Sequence, residues 1–74
     1  MNKNLKKFRE QFSSNVRARR AYLGFSQEKL AEKSRLERTY ISQIERNNAN
    51  PTIDTLHALA KALDTTASEL LSEK

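Results

Sequence analysis

Helix-breaking residues are almost absent from this chain, which has one glycine and one proline among its 74 residues. Apolar residues recur at steps of three to four, which is the period of an α-helix. No segment alternates between apolar and polar residues with the period of two that a half-buried strand requires. The sequence therefore predicts an all-α fold, made of short helices joined by short connections.

The first half of the chain contains three helical segments. The spacing of its apolar residues predicts a first helix over about 5–22, and Gly24 follows as a residue suited to a left-handed helix end. Ser26 can then cap a short second helix over 27–33. A third helix is predicted over about 38–46, with one apolar and one polar face.

The second half begins with a polar stretch, residues 47–51, which predicts a loop. Thr52 can cap a fourth helix whose apolar stripe is Ile53, Leu56, Leu59, Ala60 and Leu63. Thr66 and Glu69 match a capping box, so a fifth helix is expected to contain Leu70 and Leu71.

Positive charge is concentrated at the N-terminal end. Residues 1–20 carry seven basic side chains and one acidic side chain, whereas residues 50–74 carry two basic and four acidic ones, in a chain of net charge +5. A basic end attracts nucleic acid or an anionic membrane, and the alternative is a solvated basic helix without a binding role.

Length and cysteine content limit the remaining classes of protein. Seventy-four residues without cysteine predict a single domain over 1–74, held by a modest apolar core and helped by oligomerisation. No apolar run approaches the roughly 20 residues of a membrane span, and no apolar segment of a signal peptide follows the basic start. We therefore expect a cytoplasmic protein.

The second and third helices together predict a helix-turn-helix over about 27–46. Only a few residues separate them, Ala31 is small enough for close approach, and Leu36 and Ile41 can lock the crossing. In this arrangement the second of the two helices lies in the DNA major groove and uses its outward polar face to contact base edges.

Residues 26–33, 38–46, 50–52 and 56–63 together resemble the phage Cro/repressor-type, or XRE-like, helix-turn-helix family, over about residues 12–71 of this chain. Within the family, residues 37–42 are similar to controller proteins of restriction–modification systems. The resemblance implies a compact five-helix repressor-like domain. It also implies a regulator that binds a two-fold operator in double-stranded DNA as a homodimer, in a restriction–modification or prophage operon.

The resemblance assigns roles to individual residues. Those expected to face base edges are Arg38, Thr39, Ser42 and Gln43, together with Glu37 at the start of the reading helix. Those expected to meet phosphates are Arg17, Gln27, Tyr40 and Asn48, helped by the backbone amides of the 47–50 loop. Arg20 and Glu45 match an ion pair that joins the first and third helices, and its role is expected to be structural.

Two positions depart from the family pattern. Arg35 stands in the turn where the family usually has glycine, and a left-handed conformation there would cost about 1 kcal/mol. Glu37 stands where Ser, Thr or Asp usually caps the reading helix, and its longer side chain makes it a poorer cap. We expect Arg35 to be left-handed and Glu37 to face the DNA.

Catalytic and metal-binding constellations are not recognised. His57 is the only histidine, and a surface position is the expected one. The serines lack a His–acid partner set, and no glycine-rich phosphate loop is present. The chain is predicted not to be an enzyme, to need no metal or cofactor, and to take no small-molecule effector.

Three alternatives remain beside a dimeric regulator. An antitoxin or protein adaptor of the same fold would need a partner-binding segment, and little sequence follows the fifth helix. A membrane-surface helix over 3–20 and an enzyme are the other two. Of the terminal pair Leu70 and Leu71, one is expected to finish the core, and the other, partly exposed, is a candidate homodimer contact, with Ile53 and Leu63 nearby.

Overall fold

The computed structural model describes residues 3–73, and it contains five helices and no strand in that range. In chain order they are α1 (Lys3–Tyr22), α2 (Gln27–Ser34), α3 (Arg38–Glu45), α4 (Ile53–Ala62) and α5 (Ala67–Leu71). The predicted all-α class is confirmed. The third helix ends one residue before the predicted Arg46. Within the described range, no helix is long and apolar enough to cross a bilayer.

Side-chain caps begin three of the helices. The hydroxyl oxygens of Ser26, Thr52 and Thr66 accept hydrogen bonds from backbone amides three residues further on, in α2, α4 and α5 respectively. Each cap satisfies one of the amides that the first helical turn leaves without a partner. Glu37 precedes α3 in an extended conformation but makes no such side-chain bond, as its length predicted.

Four helices end in the same backbone turn. A left-handed residue follows each of α1 to α4, and the next amide donates to the carbonyl five residues back, as in the Schellman motif. The left-handed residues are Gly24 (φ +73°), Arg35 (+62°), Asn47 (+62°) and Asp64 (+54°). The predictions for Gly24 and Arg35 are confirmed.

One apolar core joins all five helices. Its buried members are Phe12 and Val16 of α1, Leu30 and Ala31 of α2, Ile41 and Ile44 of α3, Leu59, Ala60 and Leu63 near α4, and Leu70 of α5. Leu63 and Leu70 are almost completely buried. Leu70 therefore finishes the core, whereas Leu71 is partly exposed, as expected for one member of this pair.

Arginine side chains of α1 donate hydrogen bonds to backbone carbonyls at the C-terminal ends of other helices. Arg17 donates from Nη1 to the carbonyl oxygen of Glu45, the last residue of α3. Arg19 donates to the carbonyls of Leu63 and Asp64, beyond α4, at 2.9 Å each. A cation at a helix C-terminus satisfies orphan carbonyls and complements the helix dipole. Part of the basic charge of residues 1–20 thus has a structural role.

Asn15, an uncharged residue of α1, binds carbonyl groups at the C-terminal end of α5. It is buried, and its Nδ2 donates to the carbonyls of Leu70 and Ser72 at 2.9 and 2.8 Å. Its Oδ1 accepts from Gln11 one turn earlier on α1. All three hydrogen bonds of this side chain stay within the protein, so Asn15 ties the C-terminal helix to the first.

Candidate nucleic-acid interface

The polar face of α3 is the largest set of predicted binding residues that the fold brings together. At about 100° per residue, five polar side chains that are not buried fall within an arc of about 140°. They are Arg38, Thr39, Ser42 and Gln43, with Arg46 just after the helix. Ile41 and Ile44, on the opposite side, are buried to 0 and 1 % exposure. The helix therefore has a fixed base and an exposed polar surface.

The crossing of α2 and α3 has the predicted form. Ala31 and Ile41 are both buried members of one core cluster, and Leu36 in the turn packs against that cluster. Arg35 ends α2 and allows the chain to turn within three residues. α2 and α3 thus form a pair of helices joined by the turn at residues 35–37, and α3 packs against the core.

Glu45 is the buried polar centre beneath this surface. Its carboxylate is 3 % exposed and accepts from Arg20 through both oxygens, from Nε at 2.6 Å and from Nη2 at 2.9 Å. Gln27 donates a further hydrogen bond to Oε1 at 3.1 Å. The hydrogen bond to Glu45, together with its negative charge, raises the pKa of Arg20 above the ordinary arginine value, although burial acts in the opposite direction. The structural ion pair predicted from the family is present.

Gln27 extends this network to the exposed face. Its Oε1 accepts from Nη1 of Arg38 at 3.4 Å, while its Nε2 is held by Glu45. A continuous chain therefore leads from Arg20 through Glu45 and Gln27 to Arg38. The Arg38 guanidinium, at the start of α3, is positioned by Gln27, whose own side chain is bound to the buried Glu45 carboxylate.

A shallow depression of about 560 Å³ lies beside Gln27, at the N-terminus of α2. Its lining residues are Arg20, Ser26, Gln27, Glu28 and Arg38. The positive end of a helix dipole and two guanidinium groups meet here, which is an arrangement that attracts anions. The position predicted for phosphate contact by Gln27 is thus chemically suited to it.

Ser42 has a partner that the sequence analysis missed. Nη1 of Arg46 donates to its hydroxyl oxygen at 2.9 Å, on the exposed side of the helix. Arg46 lies four residues after Ser42 and eight after Arg38, so the helical period alone places all three on one stripe. That spacing was the available signal that Arg46 shares an exposed stripe with Arg38 and Ser42.

The other predicted phosphate contacts are more dispersed. Tyr40 is half-buried against the core, with its hydroxyl 3.5 Å from Oγ1 of Thr55. Arg17 is exposed but already donates to the end of α3. Asn48 is exposed, and its backbone amide is used within the fold because it donates to Gln43 at 2.7 Å.

Two of the backbone amides in the 47–50 loop are not available for phosphates. Asn47 donates its amide to the carbonyl of Ile44, so the amides of both Asn47 and Asn48 close the end of α3. These two groups were expected to hold phosphates, and that expectation was wrong because a Schellman turn needs them. The side chain of Asn48 keeps its predicted role as a proposal.

The remaining predicted positions are on the surface. Glu37 and His57 are both exposed. Among residues 3–73 no group of three or more potential metal ligands converges. The exposed Glu37 side chain, which makes no capping bond, lies at the N-terminus of α3.

Comparison with known families decides the class of this helix-turn-helix. The model of the HTH_3 helix-turn-helix family matches residues 16–70. The chain belongs to the HTH_3 family. This family consists of DNA-binding transcription regulators and not of enzymes.

Named relatives of this HTH_3 protein include regulators of two kinds. It is 47 % identical over 66 residues to the control protein C.SmaI of Serratia marcescens, covering 89 % of this chain and 79 % of that one. It is 39 % identical over 59 residues to the immunity repressor of Bacillus phage phi105, covering 80 % of this chain and 41 % of the repressor.

Solved structures agree with the fold of this HTH_3 protein. The restriction–modification controller protein C.AhdI from Aeromonas hydrophila superposes with a TM-score of 0.81 at 37 % identity, over 84 % of this chain and 94 % of that one. The hypothetical transcription factor NHTF from Neisseria superposes with a TM-score of 0.84 at 37 % identity, over 88 % and 75 %. The predicted family and its likeness to controller proteins are confirmed.

Proposed function

We propose that this protein is a sequence-specific transcription regulator that binds a two-fold operator as a homodimer. Each protomer places α3 in a major groove, and the half-sites lie about one helical turn apart. The observation that carries the proposal is the exposed polar face of α3 on a buried base, with Arg38 positioned through Gln27 and Glu45.

Base reading is assigned to the polar face of α3. Arg38 can donate two parallel hydrogen bonds to O6 and N7 of guanine, and Gln43 can bind adenine through its amide. Thr39, Ser42 and Glu37 contribute shorter contacts, with Glu37 accepting from cytosine N4 or repelling a wrongly placed phosphate. Because Arg46 already donates to Ser42, these two side chains are proposed to act together.

Phosphate contacts surround this face and set the position of the protein on the duplex. Gln27 and the N-terminus of α2 are proposed to hold one phosphate, because the depression there is lined by two arginines. Arg17, Tyr40 and Asn48 are proposed to hold others. Such contacts add affinity without sequence preference.

The regulated genes are proposed to be those of a restriction–modification system. Support comes from the match to C.SmaI, which extends over most of both chains, and from the superposition with C.AhdI. A prophage operon is the second candidate, supported by the match to a phage immunity repressor. An adjacent methyltransferase and endonuclease would favour the first, and adjacent phage genes the second.

The experiment that tests this function is selection of bound sites from random duplexes, followed by footprinting. We expect an enriched motif with two-fold symmetry and two protected half-sites about one helical turn apart. Equal binding to selected and scrambled duplexes would overturn sequence-specific recognition. A single protected half-site would overturn the homodimer but leave DNA reading by α3 intact.

A further inference from the structure

A depression of about 650 Å³, the α2–α4 depression, is lined by residues from the C-terminal halves of α2 and α4 and from the turn after α2. Its exposed lining residues are Lys33, Arg35, His57 and Lys61, and the partly exposed Ala58 and Ala62 lie between the two helices' charged groups. It shares no lining residue with the depression beside Gln27, and none of its residues belongs to α3. It is therefore a basic surface separate from the proposed reading face.

The three cations of the α2–α4 depression have no acidic partner in the described part of the chain. The ion pairs of residues 3–73 do not include Lys33, Arg35 or Lys61. No carboxylate lines the depression, and Glu32, which precedes Lys33, is paired with Lys29. Unpaired charges of one sign around a concave surface raise the local concentration of anionic groups.

The backbone at Arg35 indicates that its side chain has a use. Arg35 has a φ of +62°, a left-handed conformation that strains a residue with a Cβ. A glycine ends α1 in the same conformation without that strain, at Gly24. The Arg35 guanidinium makes no hydrogen bond to another group within residues 3–73. Strained residues persist mainly at functional sites, so we look for the partner of this guanidinium outside the chain.

The other polar groups of the depression are arranged for a shared ligand. The ammonium group of Lys33 lies 5.4 Å from the ring centre of Phe25, which positions the charge without neutralising it. His57 and Lys61 are four residues apart on α4 and so lie on one face. A lysine in the last turn also complements its helix dipole. That structural role requires neither the strained arginine nor the histidine.

We propose that the α2–α4 depression binds an acidic segment of a partner protein. Carboxylates of this segment accept hydrogen bonds from Lys33, Arg35 and Lys61, and its apolar side chains pack against Ala58 and Ala62. A run of phosphates has no apolar group to place on the two alanines, which favours an acidic protein segment over nucleic acid. The proposal goes beyond operator binding, because no residue of the reading face takes part.

The contact is expected to be weak and to depend on salt. Its three cations are exposed, and exposed ion pairs each contribute little because water and salt screen them. The depression is also small compared with a stable protein interface. We expect a dissociation constant on the order of 100 µM, which is typical of a transient contact.

Titration of isotope-labelled protein with a short peptide of glutamates and interspersed leucines, followed by NMR, tests the site. A copy of the peptide with glutamine in place of every glutamate is its control. We expect backbone amide shifts at residues 33–36 and 57–62, little change on α3, and no binding of the glutamine peptide. Titration to about tenfold above the expected dissociation constant nearly saturates the site, and absence of any shift there would overturn the proposal.

Matched variants locate the binding. Arg35→Gly and Lys61→Gln are each expected to weaken binding of the acidic peptide about 3- to 5-fold, the effect of one exposed ion pair. Lys7→Gln removes an exposed charge from α1 and should bind the peptide as the wild type does. Operator affinity should be unchanged in Arg35→Gly and Lys61→Gln. Circular dichroism checks that each variant is folded, and Arg35→Gly relieves strain rather than adding it.

Four other outcomes would each overturn the proposal. Equal losses in Lys7→Gln and Arg35→Gly would mean attraction by net charge alone. Equal binding of the glutamine peptide would mean that carboxylates are not recognised. Shifts confined to the polar face of α3 would place the peptide on the reading surface. Weaker binding of Arg35→Gly and Lys61→Gln to scrambled duplex DNA, without peptide binding by the wild type, would assign the depression to phosphates.

Discussion

Left-handed residues at helix ends are the clearest single-residue feature of this fold. Arg35, Asn47 and Asp64 all have a side chain where glycine would be free of strain. Asn and Asp tolerate this conformation because their short polar groups can bond locally, whereas arginine has no such compensation. Arg35 is therefore the most strained of the three.

We expect Arg35→Gly to raise the free energy of unfolding by up to about 1 kcal/mol, because glycine adopts a φ of +62° without a Cβ clash. The greater entropy of glycine in the unfolded chain offsets part of this gain. Urea denaturation measures the effect. Gly24→Ala is the reverse control and should destabilise the protein, since Gly24 has a φ of +73°. A lower stability for Arg35→Gly would mean that the Arg35 side chain makes a stabilising contact.

Arg38 and Arg17 are expected to differ in what they recognise. Arg38→Ala should cost about 1–3 kcal/mol on the true operator and much less on scrambled DNA, because its proposed contact is to a base. Arg17→Ala should weaken binding to both duplexes alike and lower the salt slope by about one. Binding titrations on the two duplexes at two salt concentrations measure both effects.

The stability of Arg17→Ala must be measured alongside its binding, because Arg17 also donates to the last carbonyl of α3. The titrations are then made below the temperature at which the variant begins to unfold. If Arg38→Ala lowers affinity equally on both duplexes, Arg38 is a phosphate contact. Base reading would then fall to Thr39, Ser42 and Gln43, or to Glu37.

At the scale of whole elements, α1 organises the fold through its polar side. Its Arg17, Arg19 and Asn15 bind the C-terminal carbonyls of α3, α4 and α5 in turn. Short helices are unstable in isolation because few of their backbone groups are paired internally. Donors supplied by a longer helix therefore help to explain how α5, with five residues, is maintained.

Removing one of these donors should loosen one helix more than the others. Asn15→Ala is expected to lower the free energy of unfolding by about 1–3 kcal/mol, because two carbonyls lose a buried partner. Amide exchange in α5 should accelerate more than exchange in α2. Gln11→Ala is the control, since Gln11 is only half-buried and binds Asn15 rather than α5. Uniform acceleration across all helices would contradict a specific link to α5.

At the scale of the whole molecule, the two ends of the chain differ in net charge: residues 1–20 are basic and residues 50–74 are slightly acidic. The formal net charge is +5, but three arginines of α1 make internal hydrogen bonds to helix ends or to Glu45. Arg38 and Arg46, by contrast, are exposed on α3 and just after it, and they bind no helix end. The distribution of exposed positive charge is thus set by the fold as well as by composition.

We expect operator binding to depend strongly on salt. A dimer that neutralises about 6–10 phosphates should lose about 10³–10⁵ in affinity between about 50 and 200 mM salt. Titrations of labelled operator at four salt concentrations measure the slope. A flat profile would contradict phosphate-dependent DNA binding. A shallow slope would indicate that the arginines of α1 remain engaged inside the protein.

Local features of the fold were predictable from the sequence. Ser26, Thr52 and Thr66 cap helices as expected, and Gly24 and Arg35 end them. Caps and turns depend on hydrogen bonds between residues three to five positions apart, so a short stretch of sequence contains all the groups involved. The apolar period likewise identified which face of α3 is buried.

Contacts between distant residues were decided only by the tertiary structure. Arg17 and Glu45 are separated by 28 positions, Arg19 and Leu63 by 44, and Asn15 and Leu70 by 55. Charge and spacing alone do not distinguish an arginine that will bind a carbonyl from one that will bind a phosphate.

The sequence by itself therefore determined the five helices, their caps and the polar face of α3, because these depend on local periodicity. Which of Leu70 and Leu71 is buried, and which arginines remain for DNA, depended on how the helices pack. Packing brings donors and carbonyls together across the chain, and burial makes an unpaired polar group costly. For that reason the long polar side chains of α1 acquire their partners only in the folded molecule.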